Sequence, residues 1–205
     1  MERMSPQPLS AILTDIVETD RDHLTLADLT ARFGGRAIGA LLFVLGLACT
    51  LPLPPGATTI FGLPLLALAA QLALGATQPW LPERVKAREI PAAKLRSGLA
   101  RAIPWLRRVE AVSRPRLAGM FSPLGQRLIG GVCTLLAVVL ILPIPLGNML
   151  PALAVSTLSF SLIQRDGLIA ILGHAAAVAS AGVLALAGHI IVRALQQAWA
   201  LVAAA

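Results

Sequence analysis

Four long stretches of the chain carry no charged residue: Ala37 to Leu53, Ala57 to Trp80, Leu128 to Ile163, and Gly167 to Val192, the last holding only His174 and His189. A helix needs roughly 20 apolar residues to cross the hydrocarbon of a bilayer, and its backbone groups must bond within the helix there. The pattern therefore predicts an all-α integral membrane protein. A soluble helical domain would not need runs of this length.

The apolar runs contain an internal repeat. Arg36-Ala-Ile-Gly39 opens a run that ends in Leu51-Pro-Leu-Pro-Pro-Gly56, and Arg127-Leu-Ile-Gly130 opens one that ends in Leu142-Pro-Ile-Pro-Leu-Gly147. The arginines, the glycines and both prolines are each offset by 91 residues. A further apolar run follows each motif, reaching Gly75 in one copy and Gly167 in the other. Proline lacks an amide hydrogen and clashes with the preceding turn, so no helix runs through Pro-X-Pro. Glycine then lets the chain turn into a second helix. Each copy reads as a Pro-broken helical hairpin. The first arms, Ala37–Leu53 and Leu128–Leu142, come to roughly 25 and 22 Å, short of the ~30 Å hydrocarbon core. Re-entrant hairpins and short spanning pairs both fit, and both put Arg36, the middle segment and Arg165 on one side.

Between and around the hairpins the periodicity becomes amphipathic. Leu9, Ile12, Leu13, Ile16 and Val17 form one helical stripe, and Thr25 with Asp28 makes a capping box for a second short helix ending at Gly34-Gly35. In the middle segment Leu95, Leu99, Ile103, Leu106 and Val109 keep helical spacing among basic residues, with Pro104 expected to start a second short helix. That profile suits a helix lying against anionic headgroups. From Gly167 onward the chain reads as a transmembrane helix, with Gly182 and Gly188 as places where it can bend. The expected organisation is an amphipathic arm over residues 1–35 and a first membrane repeat over 36–79. A basic interfacial segment over 80–126, a second repeat over 127–167 and a C-terminal transmembrane helix over 168–205 follow.

Composition agrees: mean hydropathy is +0.79, with 57% hydrophobic and 13% charged residues among 205. The formal charge of +7 is uneven. Residues 1–36 carry a net −2, and residues 80–127 hold eleven basic side chains against Glu83, Glu89 and Glu110. A basic block between apolar runs points to a cytoplasmic face and not to nucleic acid. The expected location is a bacterial inner membrane, multi-pass, with the N-terminus and residues 80–126 cytoplasmic. The first 36 residues lack a basic start followed by an apolar stretch, so insertion is expected through the first hydrophobic run. Cys49 and Cys133 lie inside apolar runs without metal-type spacing and read as core residues.

These motifs resemble the ExoD family of bacterial exopolysaccharide-synthesis membrane proteins. The resemblance rests on Leu51-Pro-Leu-Pro-Pro-Gly56, Gln71 with Gly75, Trp80-Leu-Pro82, Glu110 with Arg114-Pro-Arg116, Leu142-Pro-Ile-Pro-Leu-Gly-Asn148 with Pro151, and Arg165-Asp-Gly167. It covers about residues 9 to 190 and implies a role in making or exporting surface polysaccharide. It names a process and not a reaction.

Paired breaks in the two halves of a membrane protein point to a substrate site. The second arms would begin at Gly56, with Thr58, and at Gly147-Asn148. Helix N-termini there suit an anion such as a polyprenyl-phosphate-linked saccharide, the alternative being plain turns. Arg36 and Arg127 read as phosphate-capturing side chains, against arginines that merely set topology. Arg165 and Asp166 read as a gate, against a helix cap. Gln71, Asn148 and His174 are polar groups within apolar runs and so candidates, though such groups also bond between packed helices. No Gly-X-Ser-X-Gly or metal-spaced cluster occurs, so neither an enzyme nor a cofactor is expected. Expected partners are membrane lipids and other polysaccharide-synthesis proteins, with a homo-oligomer left open. A scaffold subunit and an ion or proton exchanger using His174 and Asp166 are the alternative readings.

Overall fold

A computed structural model describes residues 9–18, 23–51, 57–112, 116–142 and 147–203. The Pro-X-Pro motifs, and Gly56 with them, lie outside the described residues. The chain is mostly helical, in the order α1 (Leu9–Val17), β1 (His23–Thr25), α2 (Leu26–Phe33), α3 (Ala37–Thr50), α4 (Ala57–Ala73), α5 (Glu83–Lys86), β2 (Glu89–Pro91), α6 (Ala92–Val112), α7 (Pro123–Ile141), α8 (Met149–Gln164) and α9 (Gly167–Ala203). Leu26–Thr50, Pro123–Ile141 and Gly167–His189 are long and apolar enough to cross a membrane, while Thr58–Ala73 and Met149–Gln164 are shorter apolar helices.

The core is a ring of four helices. Within the ring the most extensive pairings are α4 with α7 and α3 with α8, and the ring is closed by α3 on α4 and α7 on α8. Close approach depends on glycine. A Cβ at Gly130 would lie 2.4 Å from the Ala73 nitrogen, so α7 and α4 touch backbone to backbone there. At Gly39 the same atom would meet Ile163 of α8 at 3.4 Å, an ordinary contact. Leu42, Leu65, Cys133, Leu140 and Leu158 are fully enclosed at the centre, and Cys49 is buried among them. α9 then lies along α8, setting Ala170, Gly173, Ala177 and Ser180 inward.

The N-terminal arm forms as its pattern predicts. The Thr25 hydroxyl accepts the Asp28 N–H while the Asp28 carboxylate accepts the Thr25 N–H, and Gly34 turns the chain at φ +52°. A short 3-10 turn then carries it into α3. Ile16, Leu24 and Leu29 make a small core of their own.

Several expectations are corrected. α6 runs unbroken through Pro104. Proline costs a helix its bond to the carbonyl four residues back, and here Ala100 and Pro104 are both exposed, so that carbonyl meets solvent. Of the α6 stripe, Ile103 is half-buried, and Leu106 is buried against α1, α2 and the bundle, in a cluster with Leu13, Phe33, Ala40, Phe160 and Ile163. Just before α6 the chain makes a β-strand pair, Leu24 opposite Ile90, too short to leave a period-two pattern. α7 starts at Pro123, capped by the Ser122 hydroxyl, five residues ahead of the expected run. Arg127 therefore sits inside α7 and not at its mouth. α9 continues past Gly182 and Gly188 as one 37-residue helix.

Candidate functional site

The ring has two ends, and the candidate residues divide between them. At one end the chain leaves α2 for α3, α4 and α8 finish, and α7 begins. A cleft opens between these four helix ends. Arg36, Arg165, Gln126 and Thr77 supply its polar groups, and Ile38, Leu72, Phe121 and Leu162 its apolar wall. Gly35 and Gly39 line it with bare backbone. Arg165 closes α8 in the left-handed region at φ +52°, which turns the chain sharply toward α9. Among the described residues the Arg165 side chain makes no hydrogen bond or ion pair. Gln126 donates to the Phe121 carbonyl at 2.8 Å, which fixes its amide at the cleft.

Behind Arg36 stands Glu110 of α6. Its Oε1 accepts the Ser10 N–H at 3.0 Å and the Gln164 side-chain amide at 3.1 Å. One carboxylate thus joins α1, α6 and the last residue of α8. Arg36 lies within electrostatic range of both Arg165 and Glu110. Sequence reasoning did not count Glu110, Gln126 or Thr77 among the site residues. Glu110 carried a signal, being the single acidic residue between Ile90 and Arg165.

The other residues at this end are structural ties. Arg127 lies outside the cleft lining, its guanidinium against Gly75, where a Cβ would come within 2.6 Å of Nε and where φ is +91°. The Gln71 side chain accepts the Trp80 N–H at 2.6 Å and donates to the Trp80 carbonyl at 3.1 Å, pinning the loop after α4. Buried Asp166 accepts the Leu168 N–H at 2.9 Å and caps α9. The Gly167 N–H reaches the Arg116 carbonyl at 3.0 Å.

The opposite end, about 24 Å away along α4 at ~1.5 Å per residue, holds Thr58, Gly147 and Asn148. Asn148, only 7% exposed, donates from Nδ2 to the Leu142 carbonyl at 3.0 Å, the Thr58 hydroxyl at 3.2 Å and the Leu140 carbonyl at 3.4 Å. Thr59 donates to the Ile141 carbonyl at 2.9 Å. The starts of α4 and α8 are thus stitched to the end of α7. His174 belongs to neither end, and its Nδ1 lies 2.7 Å from the Ala170 carbonyl of its own helix. Among the described residues no group of three His, Cys, Asp or Glu could hold a metal ion.

Fold and cleft define a small helical protein with apolar helices of membrane-crossing length and a cationic cleft at one end of its bundle. The model of the family described as Exopolysaccharide synthesis, ExoD, matches residues 9–186, and the chain belongs to that family. It is similar to Protein ExoD of Rhizobium meliloti (strain 1021), 32% identical over 191 residues that cover 90% of this chain and 79% of that one. The uncharacterized protein slr1875 of Synechocystis sp. is 34% identical over 148 residues, 71% of this chain and 70% of that one. No solved structure matches. Membership places the chain in exopolysaccharide synthesis. Several motifs that carry the resemblance coincide with the non-helical ties just described: Gln71 on Trp80, Glu110 on Gln164, Arg116 on Gly167, and Asn148 on Leu142.

Proposed function

We propose that the protein is a multi-pass inner-membrane component of exopolysaccharide synthesis that binds the phosphate of a lipid-linked intermediate in the Arg36–Arg165 cleft. The observation that carries this reading is an uncompensated guanidinium, Arg165, beside a second one and above an apolar wall. Arg165 is exposed and Arg36 half-buried, and arginine matches phosphate oxygens with paired donors. The wall formed by Ile38, Leu72 and Leu162 suits the first carbons of a lipid chain. The cleft end is read as cytoplasmic, together with the N-terminus and residues 80–126.

The two Pro-broken hairpins are read as one pseudo-symmetric unit. The partner exchange supports this, since the first arm of each copy packs on the second arm of the other. Gly39 and Gly130, equivalent in the repeat, meet Ile163 and Leu72, which are also 91 residues apart. Such units move substrates by parting one half from the other. The protein acts by binding and not by catalysis. The scaffold reading draws support from the exposed Arg84, Arg88, Arg107, Arg108 and Arg116. The test is native mass spectrometry of gently purified protein. A stoichiometric polyprenyl-phosphate adduct, lost in Arg165→Ala and Arg36→Ala while the fold persists, supports the proposal. Protein that carries no adduct and ignores added polyprenyl phosphate refutes it and leaves the scaffold.

A further inference from the structure

We infer that the end of the bundle opposite the cleft binds a monovalent cation among neutral oxygens of Thr58, Leu140, Leu142 and Asn148. The Asn148 amide carries the argument. Its NH2 group has two protons to give. Three oxygens stand around Nδ2: the Leu142 carbonyl at 3.0 Å, the Thr58 hydroxyl at 3.2 Å and the Leu140 carbonyl at 3.4 Å. One of the three goes without a proton. The other half of the amide fares no better, since among the described residues the buried Oδ1 has no hydrogen-bond partner. A buried acceptor without a donor is costly. Turning the amide over would set Oδ1 against the same three oxygens, and only a cation between them makes that arrangement favourable.

The surroundings suit such an ion. α7 ends at Ile141, and the carbonyls of a helix's last turn have no partner within the helix and form its negative end. No charged residue occurs between Ala57 and Trp80 or between Leu128 and Ile163, so these helices offer oxygen without carboxylate. Calcium and magnesium sites draw on carboxylates. A monovalent cation is held by neutral oxygens of the kind that unwound helix ends present. Bound there, it joins the start of α4 to the end of α7 and the start of α8, and so stabilises the closed form of this end.

The measurement is the thermal unfolding midpoint of the full chain in nonionic detergent, with choline chloride replaced stepwise by sodium chloride at constant ionic strength. Choline is too large for the site. A ligand that binds only the folded state raises the midpoint, so the wild type is expected to gain stability with sodium and then level off. Thr58→Val keeps the shape of the side chain and removes one oxygen. It is expected to raise the half-saturating sodium concentration by about tenfold. Asn148→Asp keeps an oxygen and adds a charge, and is expected to lower that concentration. Arg165→Ala, at the other end of the bundle, is expected to keep the full response, so the result does not depend on what the cleft binds. A wild-type midpoint that is the same in both salts overturns the inference without any variant. A sodium response that Thr58→Val leaves intact, or that Arg165→Ala abolishes, overturns it as well, because the ion then acts elsewhere.

Discussion

At the scale of single residues, the two repeat-related glycines have opposite expected behaviour. Gly130→Ala places a methyl group 2.4 Å from the Ala73 nitrogen, and backbone cannot yield as a side chain does. Overpacking of this kind costs roughly 1–3 kcal/mol. Gly39→Ala meets Ile163 at 3.4 Å, an ordinary contact. It gains helix propensity of about 1 kcal/mol. Thermal unfolding in one detergent is expected to show a lowered midpoint for the first variant and an unchanged or raised one for the second. The sequence displayed the register of these glycines but not the difference between them, because the tightness of a helix crossing is a property of the partner helix. Asn148 shows the same divide. Its place in an apolar run marked it as a polar group needing partners, while the identity of those partners, Thr58, the Leu140 carbonyl of α7 and the Leu142 carbonyl just after it, depends on packing.

At the scale of elements, what was legible followed from local rules. The Thr25–Asp28 capping box and the stop at Gly34 are set by neighbours within a turn or two. What was not legible depended on contacts distant in the chain. The β1–β2 pair joins segments more than sixty residues apart. The apolar face of α6 was expected on lipid, yet Leu106 is covered by α1, α2 and the bundle. An amphipathic stripe says that a face will be covered, not by what. The capping box yields a local prediction. Thr25→Ala removes both side-chain bonds of that hydroxyl and is expected to cost about 1 kcal/mol. The loss should appear as faster amide exchange confined to residues 23–33, with α4 and α7 unchanged. If exchange rises equally in α7, the arm and the bundle unfold as one unit.

At the scale of the whole molecule, the two ends of the ring differ in a way that bears on movement. At the Arg36 end the helix termini stand apart around a cleft. At the other end they are bonded together, Asn148 to Thr58 and Thr59 to Ile141. If the protein passes a ligand from one end to the other, these bonds between α4 and the second hairpin form the closed side and must open. A scaffold has no need to open them. Thr58→Cys with Asn148→Cys tests the difference, because their side chains already touch at 3.2 Å and both native thiols are buried. The oxidised double variant is expected to keep its phosphate adduct in native mass spectrometry, since the cleft lies at the far end of the helices. Exopolysaccharide production in cells carrying the cross-linked protein is expected to fall to the level of a strain lacking it, and to return when the bond is reduced. Production that persists with the cross-link in place would mean that the two halves never part at this seam. The cleft would then hold its ligand without passing it on.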